Sequence, residues 1–259
     1  MIAAGGALAV PEDLAARVDD ADYGRLLGYP AGRPLAGRVR ELAAASREWY
    51  ARNGRPWAFT RRLAVAAVTG GRVELADGAL LASPLLARRL GAAGATALVA
   101  AAVSAGPEVD AASAEGWREQ RPDEAYFLDR FGVAAVEHLA AWAARRLRSE
   151  ARDLGLAALP GYSPGYPGWA LEQQVVLGRC LTRGGEEELP GPLAVLASGA
   201  TAPRSSLLAV FGLAPPGSAV AGAWERDRCR WCALARCAFR RAAGGRAGKI
   251  QPPATKDEP

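Results

Sequence analysis

The chain has 259 residues, half of them hydrophobic, which is enough to bury a core as one large domain or two small ones. Its net charge of +5 comes mostly from arginines that lie beside Glu and Asp along predicted helices, a pattern typical of solvated helix faces and not of a nucleic-acid surface. No apolar run reaches the roughly 18 residues of a membrane span, and the N-terminus lacks the basic start of a signal peptide, so we expect a cytoplasmic protein without a membrane segment.

Hydrophobic periodicity and turn residues predict alternating helices and strands. The predicted helices cover residues 11–23, 34–50, 84–90, 108–118, 122–154 and 171–181, and the predicted strands cover residues 63–68, 72–75, 95–104, 193–198 and 219–224. Ser83 and Pro84 match an N-cap and a first helical position, and Gly91 matches a helix end. We expect the long helix to break near Gly132, and the residues after Ser206, up to residue 213, to form a short helix or turn.

These elements predict three parts of the chain. Residues 1–54 are predicted to form a helical segment that packs on the main body, and residues 55–243 to form the main domain of mixed α and β structure. Residues 244–259 are predicted to be a disordered tail, because Gly, Lys and Pro are frequent there.

The chain contains four cysteines, three of them in a C-x2-C-x4-C pattern at Cys229, Cys232 and Cys237. Neighbouring arginines would lower the pKa of these thiols and offset the charge of a metal-bound thiolate group. Cys180 could supply a fourth ligand if the fold brings it near. The spacing leaves three interpretations open: an iron-sulfur cluster, a structural zinc, or reduced packing thiols without a metal.

Glu137 and the only histidine, His138, lie beside the buried face of the predicted long helix. A single histidine excludes a His-rich zinc site, and we interpret His138 as a surface or satisfied helix residue. The arginines at 145, 146 and 148 are predicted to point outward. The sequence has no Walker loop, no G-x-S-x-G motif and no metal-binding His pair, so no catalytic residue is predicted.

One loop concentrates rigid and aromatic residues, namely residues 162–174, which read Y-S-P-G-Y-P-G-W-A-L-E-Q-Q. Gly165 and Gly168 permit backbone angles closed to other residues, while two prolines fix φ nearby. Trp169 is predicted to pack the loop. A loop this stiff, in a chain built largely of Ala, Leu, Val and Arg, predicts an element that holds a ligand.

The motif S-P-G-Y of this loop, with Trp169, Glu172 and Gln173 behind it, resembles a pattern of stand-alone proteins related to the activation (reactivation) domain of vitamin B12-dependent methionine synthase. The resemblance continues elsewhere in the family's order. It includes L-L-G-Y-P at 26–30, the segment 80–106, A-P-R-S-S at 202–206 and the three C-terminal cysteines. Together these passages cover most of residues 20–241.

The resemblance implies an α+β fold in which a twisted, mainly antiparallel sheet is flanked by helices. It also implies binding of S-adenosylmethionine (SAM) in the service of a partner methyltransferase, whose cobalamin or other corrinoid has been oxidised and must be reduced and remethylated. An electron donor is the second implied partner. Carried over residue by residue, Gly165 and Tyr166 match the Gly-Tyr that contacts SAM, and Glu137 corresponds to an acidic contact.

The chain departs from the family at Gly161, where the family has an Arg that would pair with the methionine carboxylate of SAM. Loss of such a charge-assisted pair costs about 1.5 to 3 kcal/mol, or roughly ten- to a hundredfold in affinity, unless another Arg replaces it. Arg204 is the predicted replacement. Two functions therefore stay open: a SAM-binding protein that supports corrinoid reactivation, or a non-catalytic accessory protein of the same fold that has lost SAM binding.

Overall fold

The computed structural model describes residues 5–30, 33–183 and 189–218. The strands are β1 Gly6–Leu8, β2 Trp57–Thr69, β3 Arg72–Leu75, β4 Leu80–Ala82, β5 Ala97–Ser104, β6 Ala157–Ala158, β7 Ala194–Val195, β8 Thr201–Ala202 and β9 Ser206–Ala214. The helices are α1 Leu14–Arg17, α2 Asp20–Leu26, α3 Gly37–Asn53, α4 Pro84–Ala93, α5 Pro107–Arg118, α6 Pro122–Asp153 and α7 Gln173–Leu181.

The main sheet has the strand order β4-β3-β2-β5-β9-β6, and every pair in it is antiparallel. The long strand β2 pairs with β5 along one edge and with both β1 and β3 along the other. In the centre, β5 and β9 pair from Ala97 opposite Leu213 to Ser104 opposite Ser206. A separate ribbon joins β7 and β8. The predicted antiparallel sheet flanked by helices is therefore confirmed.

The central strand β5 is buried along its whole length because helices cover both faces of the sheet. Residues such as Leu98 pack with Leu90 of α4 and Leu177 of α7 on one face. On the other face, Val99 packs with Leu147 of α6. Strands covered on both faces read as continuous apolar runs, which explains why residues 97–104 contain no polar residue before Ser104.

The N-terminal helices lie against α6. The hydroxyl of Tyr23 in α2 donates to the carbonyl of Phe127 at 2.8 Å, and the Tyr23 and Phe131 rings meet edge to face with centroids 5.1 Å apart. Tyr50 of α3 donates to the carbonyl of Ala105 at 2.9 Å. The Tyr50 ring also lies 5.3 Å from the Phe131 ring. The N-terminal helices thus support α6, which forms one wall of the site described below.

The long helix α6 runs unbroken for 32 residues, so the predicted break near Gly132 is wrong. A Cβ at this position would lie 2.7 Å from Val109 and 2.8 Å from the Ser205 hydroxyl. Glycine is present because α5 and the start of β9 approach the helix too closely for a side chain. Its intrinsic cost inside a helix is only about 1 kcal/mol, which tertiary packing outweighs.

Other predicted elements changed in length or type. The residues predicted as a short helix or turn up to 213 form the central strand β9, and the strand predicted over 193–198 is reduced to β7. The strand predicted over 63–68 begins at Trp57, since its first half pairs with both β1 and β5. The predicted strand 219–224, the three C-terminal cysteines and the predicted tail 244–259 lie outside the described residues.

Among the helices of the described ranges, none combines the length with the apolar character that crossing a bilayer requires. Even α6, the longest of them, carries charged residues along its whole length.

Candidate functional site

The predicted ligand-holding loop leaves the sheet edge beside β9. Tyr162 and Val210 exchange both backbone hydrogen bonds, at 3.0 and 2.9 Å, so the chain entering the loop acts as one more strand position. Side chains on a strand alternate between faces. Tyr162 therefore packs into the core under α4 and α7, whereas Gly161 and Ser163 line the opposite face, toward α6.

The loop is held rigid by its own residues. Tyr162 is 1% exposed, and its ring stacks on Trp169 with centroids 5.3 Å apart, which confirms that Trp169 packs the loop. The Tyr162 hydroxyl donates to the carbonyl of Pro167 at 2.6 Å. From α4, the Ser83 hydroxyl donates to the carbonyl of Gly168 at 2.9 Å. Gly168 has φ of +86°, a left-handed conformation that favours glycine.

A cation also contacts the ring of Tyr162. The Arg89 guanidinium of α4 lies 4.8 Å from the centroid of the Tyr162 ring, a cation-π distance. Burial lowers the pKa of Arg89 to about 10, with the nearby Arg88 adding a smaller effect in the same direction. Arg89 is therefore still charged at neutral pH and helps to hold the ring of Tyr162 in place.

A groove of about 320 Å³ lies between this loop, α6 and β9. Its lining consists of charged and small residues on the helix, apolar residues on the strand, and the loop: Glu137, Ala140, Ala141, Ala144, Arg145, Arg148, Gly161, Ser163, Tyr166, Leu207, Ala209 and Phe211. The lining residues of β9 are Leu207, Ala209 and Phe211. They are two positions apart because alternate residues of a strand lie on the same face. The alanines of α6 have small side chains, so they do not narrow the groove.

The charges in the groove are separated along α6. Glu137 lies at the middle of the helix, and Arg145 and Arg148 follow two to three turns later on the same face. The rise of a helix places Glu137 and Arg148 about 16 Å apart along the axis. One end of the groove is thus acidic and the other basic, which suits an elongated ligand that carries both a cation and an anion.

The structure brings two of the predicted site residues together, because Glu137 and Tyr166 line the same groove. Gly165 precedes Tyr166 in the turn, with φ of +89°, and its amide donates to the carbonyl of Trp169 at 2.9 Å. Gly165 thus shapes the turn that presents Tyr166 without lining the groove itself.

Arg204, the predicted replacement for the missing arginine, lies outside the groove lining. Its guanidinium is 3.2 Å from Asp129 of α6 and 3.6 Å from Asp110 of α5, and its amide donates to Asp110 at 2.7 Å. Arg204 therefore ties the start of β9 to two helices. Its predicted contact with SAM stays a prediction.

Gly161 lines the groove where the resembled family carries an arginine. A Cβ here would lie 2.8 and 2.9 Å from two atoms of the Phe211 ring, closer than real Cβ contacts. Phe211 is 5% exposed and packed against α6, so it has little room to move. The Phe211 ring thus occupies the space that any side chain at position 161 would need.

The sequence interpretation missed most of the lining, including its polar or bulky residues Arg145, Arg148, Ser163 and Phe211. The two arginines were predicted to point outward, but they line the groove on the helix face that also carries Glu137. Arg146, between them, turns away from the groove and pairs with Glu150 at 3.1 Å. The spacing of positions 137, 141, 145 and 148 was the available signal, since residues four and three apart share a helix face.

Of the four cysteines predicted as metal ligands, Cys180 lies in the described part of the chain. Cys180 of α7 is fully buried in the core, and burial raises the pKa of its thiol above the ordinary value. Within the described part of the chain, no group of three or more His, Cys, Asp or Glu residues could hold a metal ion. Since Cys229, Cys232 and Cys237 lie outside that part, the iron-sulfur and zinc interpretations stay predictions.

His138 lies next to Glu137, and its environment lowers the pKa of the imidazole below 6.5. Burial is the main cause; the cations Arg145 and Arg17 add to it, and Asp22 and Asp19 oppose it. Below about pH 6.5 the unfolded chain binds a proton that the folded chain does not, so folding stability falls as the pH falls toward the lowered pKa.

We expect His138→Gln to remove the part of the acid-induced loss of stability that is due to the lowered pKa of His138. Urea unfolding of wild type and variant at about pH 8 and about pH 5.5 measures it: the wild type should lose more stability on acidification than the variant. Equal losses would show that the His138 pKa is the same in the folded and unfolded chain.

The sheet and groove define a class of protein, a mixed α+β domain whose antiparallel sheet and long helix enclose a ligand-sized cleft. Among solved structures, the chain is similar to the "Crystal Structure of the MetH Reactivation Domain bound to AdoHcy", with a TM-score of 0.61 over 84% of this chain and 80% of that chain, at 13% identity. No family model matches the chain, and no curated protein matches it. The chain thus has the fold of the MetH reactivation domain, and the resemblance to the activation domain of methionine synthase is confirmed in its fold.

Proposed function

We propose that the groove binds SAM and that the protein supports reductive reactivation of a cobalamin- or corrinoid-dependent methyltransferase in the cytoplasm. The observation that carries this proposal is the meeting of Tyr166 and Glu137 in one groove, on a fold whose solved relative is bound to AdoHcy. The partners in this proposal are the methyltransferase and an electron donor.

The groove chemistry fits SAM. The ligand combines an aromatic base, a sulfonium cation and an amino acid that carries both charges. Tyr166 and the apolar strand positions Leu207 and Ala209 offer surfaces for the base. Glu137 offers a carboxylate for a cation.

The chemical step belongs to the cofactors in this proposal. An electron from the donor would reduce the oxidised corrinoid on the partner, which would then take the methyl group from the sulfonium of SAM and release S-adenosylhomocysteine. The residues of this chain would bind and orient SAM. This division of labour agrees with the lining that the described residues form, in which charged, small and apolar side chains lie without a Cys, His or Lys among them.

Isothermal titration with SAM, on protein purified without oxygen, tests binding. We expect a dissociation constant well below millimolar for the wild type. Glu137→Gln keeps the size of the side chain but removes its charge, so affinity should fall about ten- to a hundredfold. Glu124→Gln is the matched control, because Glu124 lies at the far end of α6 and pairs with Arg121. Wild-type binding weaker than millimolar would contradict the proposal.

The second candidate is an accessory protein of the same fold that has lost SAM binding. The observation that favours it is the packing at Gly161, where the Phe211 ring excludes the arginine of the resembled family. A remethylation assay separates the candidates: the protein is mixed with cob(II)alamin, a chemical one-electron reductant and SAM. Faster formation of methylcobalamin than without the protein supports reactivation. No acceleration, in a preparation that does not bind SAM either, supports the accessory function.

A further inference from the structure

The amino-acid end of SAM carries a carboxylate, and position 161 cannot supply a cation for it. The nearest obstacle is the Phe211 ring, 2.8 Å from a Cβ built at Gly161. Arg204 is engaged with Asp110 and Asp129, outside the groove lining. If the groove binds SAM, another residue has to meet the carboxylate.

The basic end of the groove offers such residues on a different element. Arg145 and Arg148 are three residues apart on α6, so their side chains lie on one helix face. Both line the groove, together with Gly161 and Phe211. Gly161, where the resembled family has its arginine, therefore lines the same groove as the two arginines of α6.

We propose that Arg145 and Arg148 bind the carboxylate of the amino-acid moiety of SAM, in place of the loop arginine of the resembled family. This inference rests on the proposed function. Guanidinium groups bind carboxylates through charge-assisted hydrogen bonds, often with two bonds in parallel. In this arrangement the guanidinium that meets the carboxylate comes from α6 and not from the loop. The Phe211 ring fills the space that an arginine side chain at position 161 would need.

The geometry gives the site a polarity. The carboxylate lies at the Arg145 and Arg148 end, and the cationic part of the ligand lies toward Glu137. The site therefore selects adenosyl ligands that keep the amino-acid carboxylate. Decarboxylated SAM, which keeps the sulfonium and the amine, is the ligand that isolates this contact.

The test titrates SAM and decarboxylated SAM into the wild type, the double variant Arg145→Gln/Arg148→Gln, and the control Arg146→Gln. We expect the wild type to prefer SAM about tenfold or more, and the double variant to bind both ligands alike, with SAM affinity reduced about ten- to a hundredfold. The control removes the same charge from the same helix, but Arg146 pairs with Glu150 outside the groove, so it should keep the preference.

A conservative variant and a folding check complete the design. Arg145→Lys/Arg148→Lys keeps the charges but not the paired bonds, so it should recover part of the preference for SAM. Circular dichroism verifies that each variant is folded. If the wild type prefers SAM and the double variant keeps that preference, this inference is overturned while the proposed function stands. If the wild type does not bind SAM, the proposed function fails, and the inference fails with it.

Discussion

Replacing Tyr162 by alanine should lower the free energy of unfolding by about 3 to 5 kcal/mol, the range for removing a large buried aromatic side chain. The ring is 1% exposed and stacks on Trp169. Arg89 lies over it at 4.8 Å, and its hydroxyl donates to the Pro167 carbonyl at 2.6 Å. Removal of the Tyr162 side chain leaves a cavity under the loop, and the carbonyl of Pro167 loses its donor. Urea unfolding followed by circular dichroism measures the change.

Two controls separate the causes of this loss. Tyr162→Phe keeps the ring and removes the hydroxyl, so it should cost about 0.5 to 1.5 kcal/mol, the net contribution of a hydrogen bond to a partly buried acceptor. Tyr166→Ala removes a half-buried ring of the same loop, one that lines the groove. It should lower the affinity for SAM, and it should lower the free energy of unfolding less than Tyr162→Ala does. If Tyr162→Ala were within about 1 kcal/mol of the wild type, the loop would not be anchored through this ring.

Local signals in the sequence were sufficient for much of the fold. Ser83 caps α4 as predicted, because its hydroxyl accepts from the amide of Leu86 at 3.2 Å. The end of that helix was placed too early, at Gly91. The helix continues to Ala93 and ends at Gly94, which has φ of +62°. Two glycines close together leave the end ambiguous in the sequence, since either one can take the left-handed conformation.

Long-range pairing could not be inferred in the same way. The residues of β9 are apolar on both faces, so they show no alternation, and a short apolar run can belong to a strand or a helix. Pairing with β5 decides between them. The same strand carries Phe211, whose contact with Gly161 joins positions 50 residues apart. The sequence therefore located the loop, Glu137 and Tyr166, but not the ring that closes the site to an arginine.

The site consequently combines signals of different range. The loop is a local motif, and its Gly165 and Trp169 were recognisable as such. The basic end of the groove depends on how α6 lies across the sheet, which no local pattern around Arg145 or Arg148 specifies. The stiff loop indicated where the candidate groove lies, whereas the charges that we propose to select its ligand lie on a helix.

Gly161→Ala should destabilise the protein by about 1 to 3 kcal/mol, the range for overpacking a well-packed site. Gly161 does not have a positive φ, so alanine is allowed by the backbone, and the clash with Phe211 is the cause of the loss. Gly91→Ala is the matched control, because nothing lies within 4 Å of its added Cβ. This helical position should gain up to about 1 kcal/mol from the same substitution.

A double-mutant cycle with Phe211→Ala assigns the loss to that ring. Phe211→Ala is itself destabilising, but in its background Gly161→Ala should cost less, with a coupling of about 0.5 to 3 kcal/mol between the two positions. Additive effects would mean that another neighbour resists the methyl group. Gly161→Arg, which restores the residue of the resembled family, should be less stable than Gly161→Ala and should not increase SAM affinity, because the Phe211 ring keeps the guanidinium from entering the groove. A gain in affinity would show that Phe211 yields, and that the cation at the carboxylate end can still come from the loop.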